Sequence, residues 1–168
     1  MSRITFLENE RIEILDAQIG FPNFKGEAKL YNSEGNRNFV LTIDDPDVAM
    51  KLSEEGWNIK INPPKKEGDT PTYKLTVKVS FKSFPPYIRP AKIYTISNGV
   101  KTQLTEETVG SLDDADVEYI DMIIRPRHLD APTPAGNTIT AYLVELYATL
   151  AHSSLARRYA EMESPEEY

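Results

Sequence analysis

Tyr73, Leu75, Val77, Val79 and Phe81 alternate along the chain with Lys74, Thr76, Lys78, Ser80 and Lys82. A period of two sustained over this stretch predicts a strand with one apolar face and one basic face. Asn38 to Ile43 alternates in the same way, with Phe39, Leu41 and Ile43 in phase. Trp57, Ile59 and Ile61 follow suit until Pro63 and Pro64, which supply no ladder donor, end the run. Upstream, Ile12 and Ile14 followed by Ala17 and Ile19 predict a first strand that ends at Gly20, and Phe21 to Gly26 reads as a bend. Lys92 to Ile96 and Val100 to Leu104 flank Asn98-Gly99, the dipeptide favoured by tight hairpins. Val117 to Arg125 alternates again, Pro126 to Asn137 is a loop, and Thr138 to Leu150 is either one long strand or a strand passing into a helix.

Helical signals are fewer. Asp44 or Asp45 is placed to cap a helix that begins at Pro46, carries Asp47 at the positive end of its dipole and stops at Gly56. Thr105 starts a short acidic helix through about Leu112, and Ser153 to Met162 reads as a short amphipathic helix. Six or so short strands with one central helix predict a small, mainly β barrel with one or two short helices. The oligonucleotide-binding (OB) barrel is the type that best suits the charge pattern. The expected organisation is one domain over residues 1–150 and a tail over residues 151–168.

Composition sharpens this picture. The chain has 168 residues and no Cys, which excludes thiol nucleophiles, disulfides and thiolate metal sites. Arg3, Glu8, Glu10, Arg11, Glu13 and Asp16 interrupt the first apolar positions, so no signal peptide is read there, and no apolar run approaches a membrane span. The expectation is a soluble protein of the cytoplasm. Its net charge of −7 conceals an opposite segment. Residues 58–101 hold nine Lys or Arg and two acids, and no acid lies between Asp69 and Glu106.

Cations that follow a phosphate backbone, interleaved with rings on which unpaired bases stack, are what a single nucleic acid strand requires. Lys74, Lys78 and Lys82 share one strand face, on which successive positions lie about 6.6 to 6.8 Å apart. Lys60, and Lys92 with Tyr94, extend that surface, and Tyr119 shares a face with Arg125 on a later strand. Phe39, Trp57, Tyr73 and Phe81 fall in phase with aliphatic residues and are expected in the core. Tyr94, Tyr119 and Phe84, with Tyr87 and Tyr31, are out of phase or in loops and are the stacking candidates. The same segment taken alone fits an exposed strand that lysines keep from aggregating.

No cofactor or metal is expected, and the chain reads as a binding protein and not an enzyme. It has no phosphate-cradling glycine loop and no nucleophile elbow, and His128 and His152 stand in no zinc or general-base arrangement. Two other classes remain open. One is a protein-interaction module or inhibitor whose acidic surface mimics DNA. The other is a metal-dependent nuclease using Asp44, Asp45 or Asp47, although helix capping is the favoured reading of those acids. Glu161, Glu163, Glu166, Glu167 and Tyr168 form an acidic end, expected to be flexible, that either competes for the basic groove, docks on a partner or only solubilises.

Asn23-Phe24-x-Gly26, Gly35-Asn36-Arg37-Asn38-Phe39, Asp44-Asp45, Gly56-Trp57-Asn58-Ile59-Lys60, the lysine-lined strand and the acidic tail together resemble the single-stranded DNA-binding proteins of bacteriophages. The resemblance covers most of residues 15–150. It implies an OB barrel that coats exposed single strands in DNA replication or recombination and recruits other proteins through its acidic end. It also implies Arg37 and Lys60 as DNA contacts and places the protein in the host cytoplasm. An OB barrel's edges leave homodimerisation open.

Overall fold

The computed structural model describes residues 2–29, 32–83 and 88–151. Among these, ten strands form one sheet: β1 (Arg3–Phe6), β2 (Ile12–Leu15), β3 (Gln18–Asn23), β4 (Arg37–Ile43), β5 (Ile59–Asn62), β6 (Thr72–Val79), β7 (Lys92–Ser97), β8 (Val100–Leu104), β9 (Val117–His128) and β10 (Ile139–Leu150). One α-helix, α1 (Pro46–Glu55), lies between β4 and β5. Among the described residues no helix is long and apolar enough to cross a membrane.

The β10 strand organises the sheet. One edge pairs antiparallel with β9 along nearly its whole length, from Ile139 opposite His128 to Leu150 opposite Val117. The other edge is shared between two parallel neighbours, β6 at Ala141 and Tyr142 and β7 from Glu145 to Thr149. In turn β6 pairs antiparallel with β4 through seven register positions and with β5 through four. Period-two alternation sends one side of each strand inward. Phe39, Leu41, Leu75, Val77, Met122, Ile124, Leu143 and Leu146 are all essentially buried. Burial of this kind, at about 25 cal/mol per Å² of apolar surface, supplies the main driving force for the fold.

The expected closed barrel does not form. The pairing path runs β1-β2-β9-β10-β6-β4-β3, and its two ends do not pair with each other. The cause lies in the segment whose pattern predicts one strand from Ile12 to Gly20. Asp16 takes a left-handed backbone (φ 54°), which ends β2 before β3 begins. Across the gap, the Ala17 N–H donates to the Ile120 carbonyl (2.7 Å), but no ladder joins β3 to β9. A cleft of about 420 Å³ occupies the gap, lined by Ile19, Phe24, Leu112, Ile120 and Tyr119 among others. The architecture is therefore OB-like, mainly β and open.

Several local expectations hold. Asp45 caps α1, its side chain accepting from the Asp47 N–H (2.9 Å), and Gly56 ends the helix in the left-handed region (φ 107°). Asn98 and Gly99, both at positive φ, make the β7–β8 turn. Thr138–Leu150 is strand almost throughout. Others shift. β1 has no counterpart among the expected strands, β9 continues through Pro126 to His128, and the acidic helix after Thr105 shortens to a 3-10 turn at Val109–Asp113. Asp113 at the end of that turn accepts from the Phe24 and Lys25 N–H groups (2.7 and 3.0 Å). The predicted helix at 153–162 lies outside the described residues.

Gly56 ties the helix to the central strand. Its carbonyl accepts from both Thr138 and Ile139 N–H groups (2.9 Å each), and a Cβ there would run into the Thr138 side chain. Gly56→Ala is expected to cost about 1–2 kcal/mol from backbone handedness alone, with the clash adding to it. Urea denaturation measures this, and an unchanged midpoint would contradict the role given to Gly56.

Candidate nucleic-acid interface

The outward side of the sheet follows from register, because directly opposed residues share a face. Asn38 of β4 opposes Lys78 of β6, Lys78 neighbours Tyr142 of β10, and Tyr142 opposes Arg125 of β9. These four residues form a row across four strands, which at about 4.8 Å per strand is roughly 14 Å long. Farther back along β6, Lys74 faces Thr42 on one side and Lys60 on the other. Like charges placed directly opposite each other are destabilising in a sheet. Lys60, Lys74 and Lys78 make no ion pair with any described residue, and none of their opposed neighbours is acidic.

Arg125 adds a second sign of unmet positive charge. Its pKa is lowered first by burial and then by the positive charges of Arg11 and Arg89. Its Nε is buried without a hydrogen-bond partner among the described residues. A buried donor left unpaired costs about 1–3 kcal/mol, and a desolvated guanidinium among like charges suits an incoming anion. A polar cleft of about 580 Å³ opens at the end of the row, lined by Arg37, Asn38, Lys78, Phe81, Lys82 and Tyr142 among others.

The candidate residues therefore fall into distinct settings. Lys60, Lys74, Lys78 and Arg125 lie on one face, and Lys82 follows at the exposed turn after β6, where its N–H donates to the Ser80 hydroxyl (3.2 Å). Arg37 lines the cleft, but its side chain is engaged with the protein. Its Nε donates to the Phe24 carbonyl (3.0 Å), its Nη1 reaches Glu106 (3.4 Å), and its guanidinium lies over the Phe81 ring at 5.6 Å.

Farther along the sheet, Lys92 opposes Glu145, and Tyr94 stacks on Tyr147 with ring centroids 5.0 Å apart. Lys101 sits 4.8 Å over Tyr94, so that ring is already covered. The Tyr147 phenol is pushed up first by burial and then by its hydrogen bond to Glu145 (3.1 Å). Tyr119 is half exposed beside the open cleft between β3 and β9, in the company of Asp116 and Glu118. Phe84, Tyr31, Tyr87 and the tail residues Glu161, Glu163, Glu166, Glu167 and Tyr168 lie outside the described residues.

Arg89 belongs to the basic segment read from the sequence, but neither it nor Arg11 nor Tyr142 is singled out there as a site residue, because their neighbourhood is created by long-range pairing. Sequence reasoning missed Phe21, which the sequence pattern places in a bend and which is in fact 78% exposed on a strand. Among the acids considered for metal chemistry, Asp45 caps α1 and Asp44 accepts from the Ser2 N–H (3.1 Å).

The whole chain, residues 1–168, matches the family model described as "Putative phage ssDNA-binding domain". Among solved structures, the chain is similar to the single-stranded DNA-binding protein from bacteriophage Enc34 in complex with ssDNA. The TM-score is 0.55 at 10% identity, covering 91% of this chain and 93% of that one. A second structure of the single-stranded DNA-binding protein from bacteriophage Enc34 gives a TM-score of 0.55 at 11% identity, covering 91% and 88%. At such identities the likeness concerns the fold. No curated protein matches by sequence.

If Arg125 is held ready for a phosphate, its removal relieves repulsion while weakening binding. Arg125→Gln is expected to leave the melting temperature unchanged or raised and to lower the salt dependence of single-strand binding by about 0.7 in log–log slope. Thermal melts paired with salt titrations test this. A lowered melting temperature together with an unchanged slope would contradict it.

Proposed function

The chain belongs to the phage single-stranded DNA-binding family that its full length matches, and on that premise we propose that it binds DNA through the outward face of β4, β6, β10 and β9. It is a non-catalytic, sequence-tolerant binding protein of the kind that coats and protects single strands during phage replication and recombination. The observation that carries the choice of face is the opposition of Lys60 to Lys74, with Lys78 farther along the same strand, none of these three lysines having an acidic opposed neighbour. Phosphates tracking β6 would neutralise these lysines and release counterions. Lys82 and Arg125 extend the path at either side, and Arg37 contributes through the polar cleft. Lys92 belongs to the outer reach of the strand's path, Tyr94 and Tyr119 lie beyond it, and Phe84 is assigned to the same surface on the strength of its sequence position alone.

We assign residues 1–150 to the DNA-binding domain and residues 151–168 to a tail. In this reading the tail's glutamates compete with DNA for the basic face and give replication or recombination proteins a point of attachment. Its chemistry, a polyanion beside a cationic surface, supports both roles. Pairing of two copies along free sheet edges is compatible with the open path.

Fluorescence anisotropy with labelled oligo-dT, with duplex DNA and RNA as competitors, tests the proposal. Binding to single strands is expected to weaken steeply with salt and to tighten when the chain ends at Arg158. Lys78→Glu is expected to weaken it by about tenfold or more with an unchanged melting temperature, since Lys78 gives up no ion pair with a described residue. Salt-insensitive binding, or a Lys78→Glu variant with wild-type affinity, would place the DNA elsewhere.

A further inference from the structure

Phe21 is the most exposed large apolar side chain among the described residues, at 78%. Strand alternation does not put it there. Ile19 opposes Leu41 on the buried side and Gly20 opposes Val40 on the outer side, so simple alternation would return Phe21 to the core face. Instead β3 carries a bulge. The pairing passes from Gly20↔Val40 directly to Asn23↔Asn38, so that Phe21 and Pro22 together oppose the single residue Phe39. Phe21 takes a left-handed backbone (φ 48°), a conformation that is strained for a residue bearing a side chain. Bulges of this type re-aim a side chain. Here strain and hydrophobic exposure are both spent on turning one ring to solvent.

The ring points toward the lysine face. The Lys74 Nζ lies 6.0 Å from its centroid, and Lys74 is the residue opposed by Lys60. An aromatic face beside one ammonium group, with a second lysine opposed to it across the strand, complements the two surfaces that one nucleotide offers, a base and a phosphate. Phe21 also differs from Tyr94, which stacks on Tyr147 beneath Lys101.

Resting on the binding face proposed above, we propose that Phe21 is a base-stacking residue, receiving an unpaired nucleobase whose phosphate is held by Lys74 and Lys60. Base–aromatic stacking is worth about 1–3 kcal/mol per base on truncation, which corresponds to roughly 5- to 150-fold in affinity.

The test compares wild type, Phe21→Ala and Phe21→Trp on two labelled strands of equal length, oligo-dT and an abasic sugar–phosphate oligomer. Phe21→Ala is expected to bind oligo-dT about 5- to 150-fold more weakly, to bind the abasic strand as wild type does, and to keep the wild-type salt slope. Phe21→Trp is expected to restore affinity for oligo-dT, and its introduced indole to be quenched by oligo-dT but not by the abasic strand, beyond any change that Trp57 shows in wild type. Equal affinity of Phe21→Ala and wild type for oligo-dT overturns the proposal. So does an equal loss on both strands, which would mean that the ring acts on the backbone path and not on a base. Wild-type protein that binds neither strand would overturn the binding face itself. Wild-type binding that is lost with Lys78→Glu but indifferent to Phe21 would overturn the stacking role alone.

Discussion

Strand β10 is the constraint on which the rest depends. It must satisfy three neighbours at once: β9 along one edge, and β6 and β7 in succession along the other. A slip of one residue would move Ile139, Ala141, Leu143, Leu146 and Ala148 out of the core and bring Thr140 and Tyr147 into it. Correct register on the inner side therefore also fixes the outer side. Tyr142 arrives between Lys78 and Arg125 because Leu143 and Ala141 are buried. The irregularity between Leu143 and Glu145 lets the strand change neighbours from β6 to β7 while the outer row continues.

The outer surface is organised against its own stability. Lys60 faces Lys74 directly, Arg125 is desolvated among Arg11 and Arg89 with no partner for its Nε among the described residues, and Phe21 stands in solvent on a strained backbone. Elsewhere Lys25 pairs with Asp114 (2.7 Å), and a His128 ring nitrogen hydrogen-bonds Glu10 (2.7 Å). Lysines directly opposed across β5 and β6, with a desolvated Arg125 on β9, are the chemistry on which the proposed binding face rests.

Much of this was legible in the sequence where a local rule applies. The alternation from Tyr73 to Val79 gave both the buried and the basic face of β6, Pro46 and Gly56 bounded the helix, and Asn98-Gly99 marked the hairpin. Phe39 and Trp57 are buried as their phase implied, and Tyr73 and Phe81 pack against the core. What escaped depends on pairing between distant segments or on backbone conformations that composition does not encode. Asp16 and Phe21 adopt positive φ without being glycine, so neither the break that leaves the sheet open nor the bulge that exposes a ring has a sequence signature. The approach of Arg11 and Arg89 to Arg125 likewise requires the β2–β9 pairing and the loop before β7 to be known.

Chemical-shift mapping of the isotopically labelled protein during titration with oligo-dT locates the bound strand on the sheet. The largest perturbations are expected on Lys60, Lys74, Lys78, Tyr142 and Arg125 across β5, β6, β10 and β9, with Asp116 and Glu118 at the open cleft unmoved. Perturbations concentrated on that acidic cleft, with the lysine face silent, would contradict the proposed binding face.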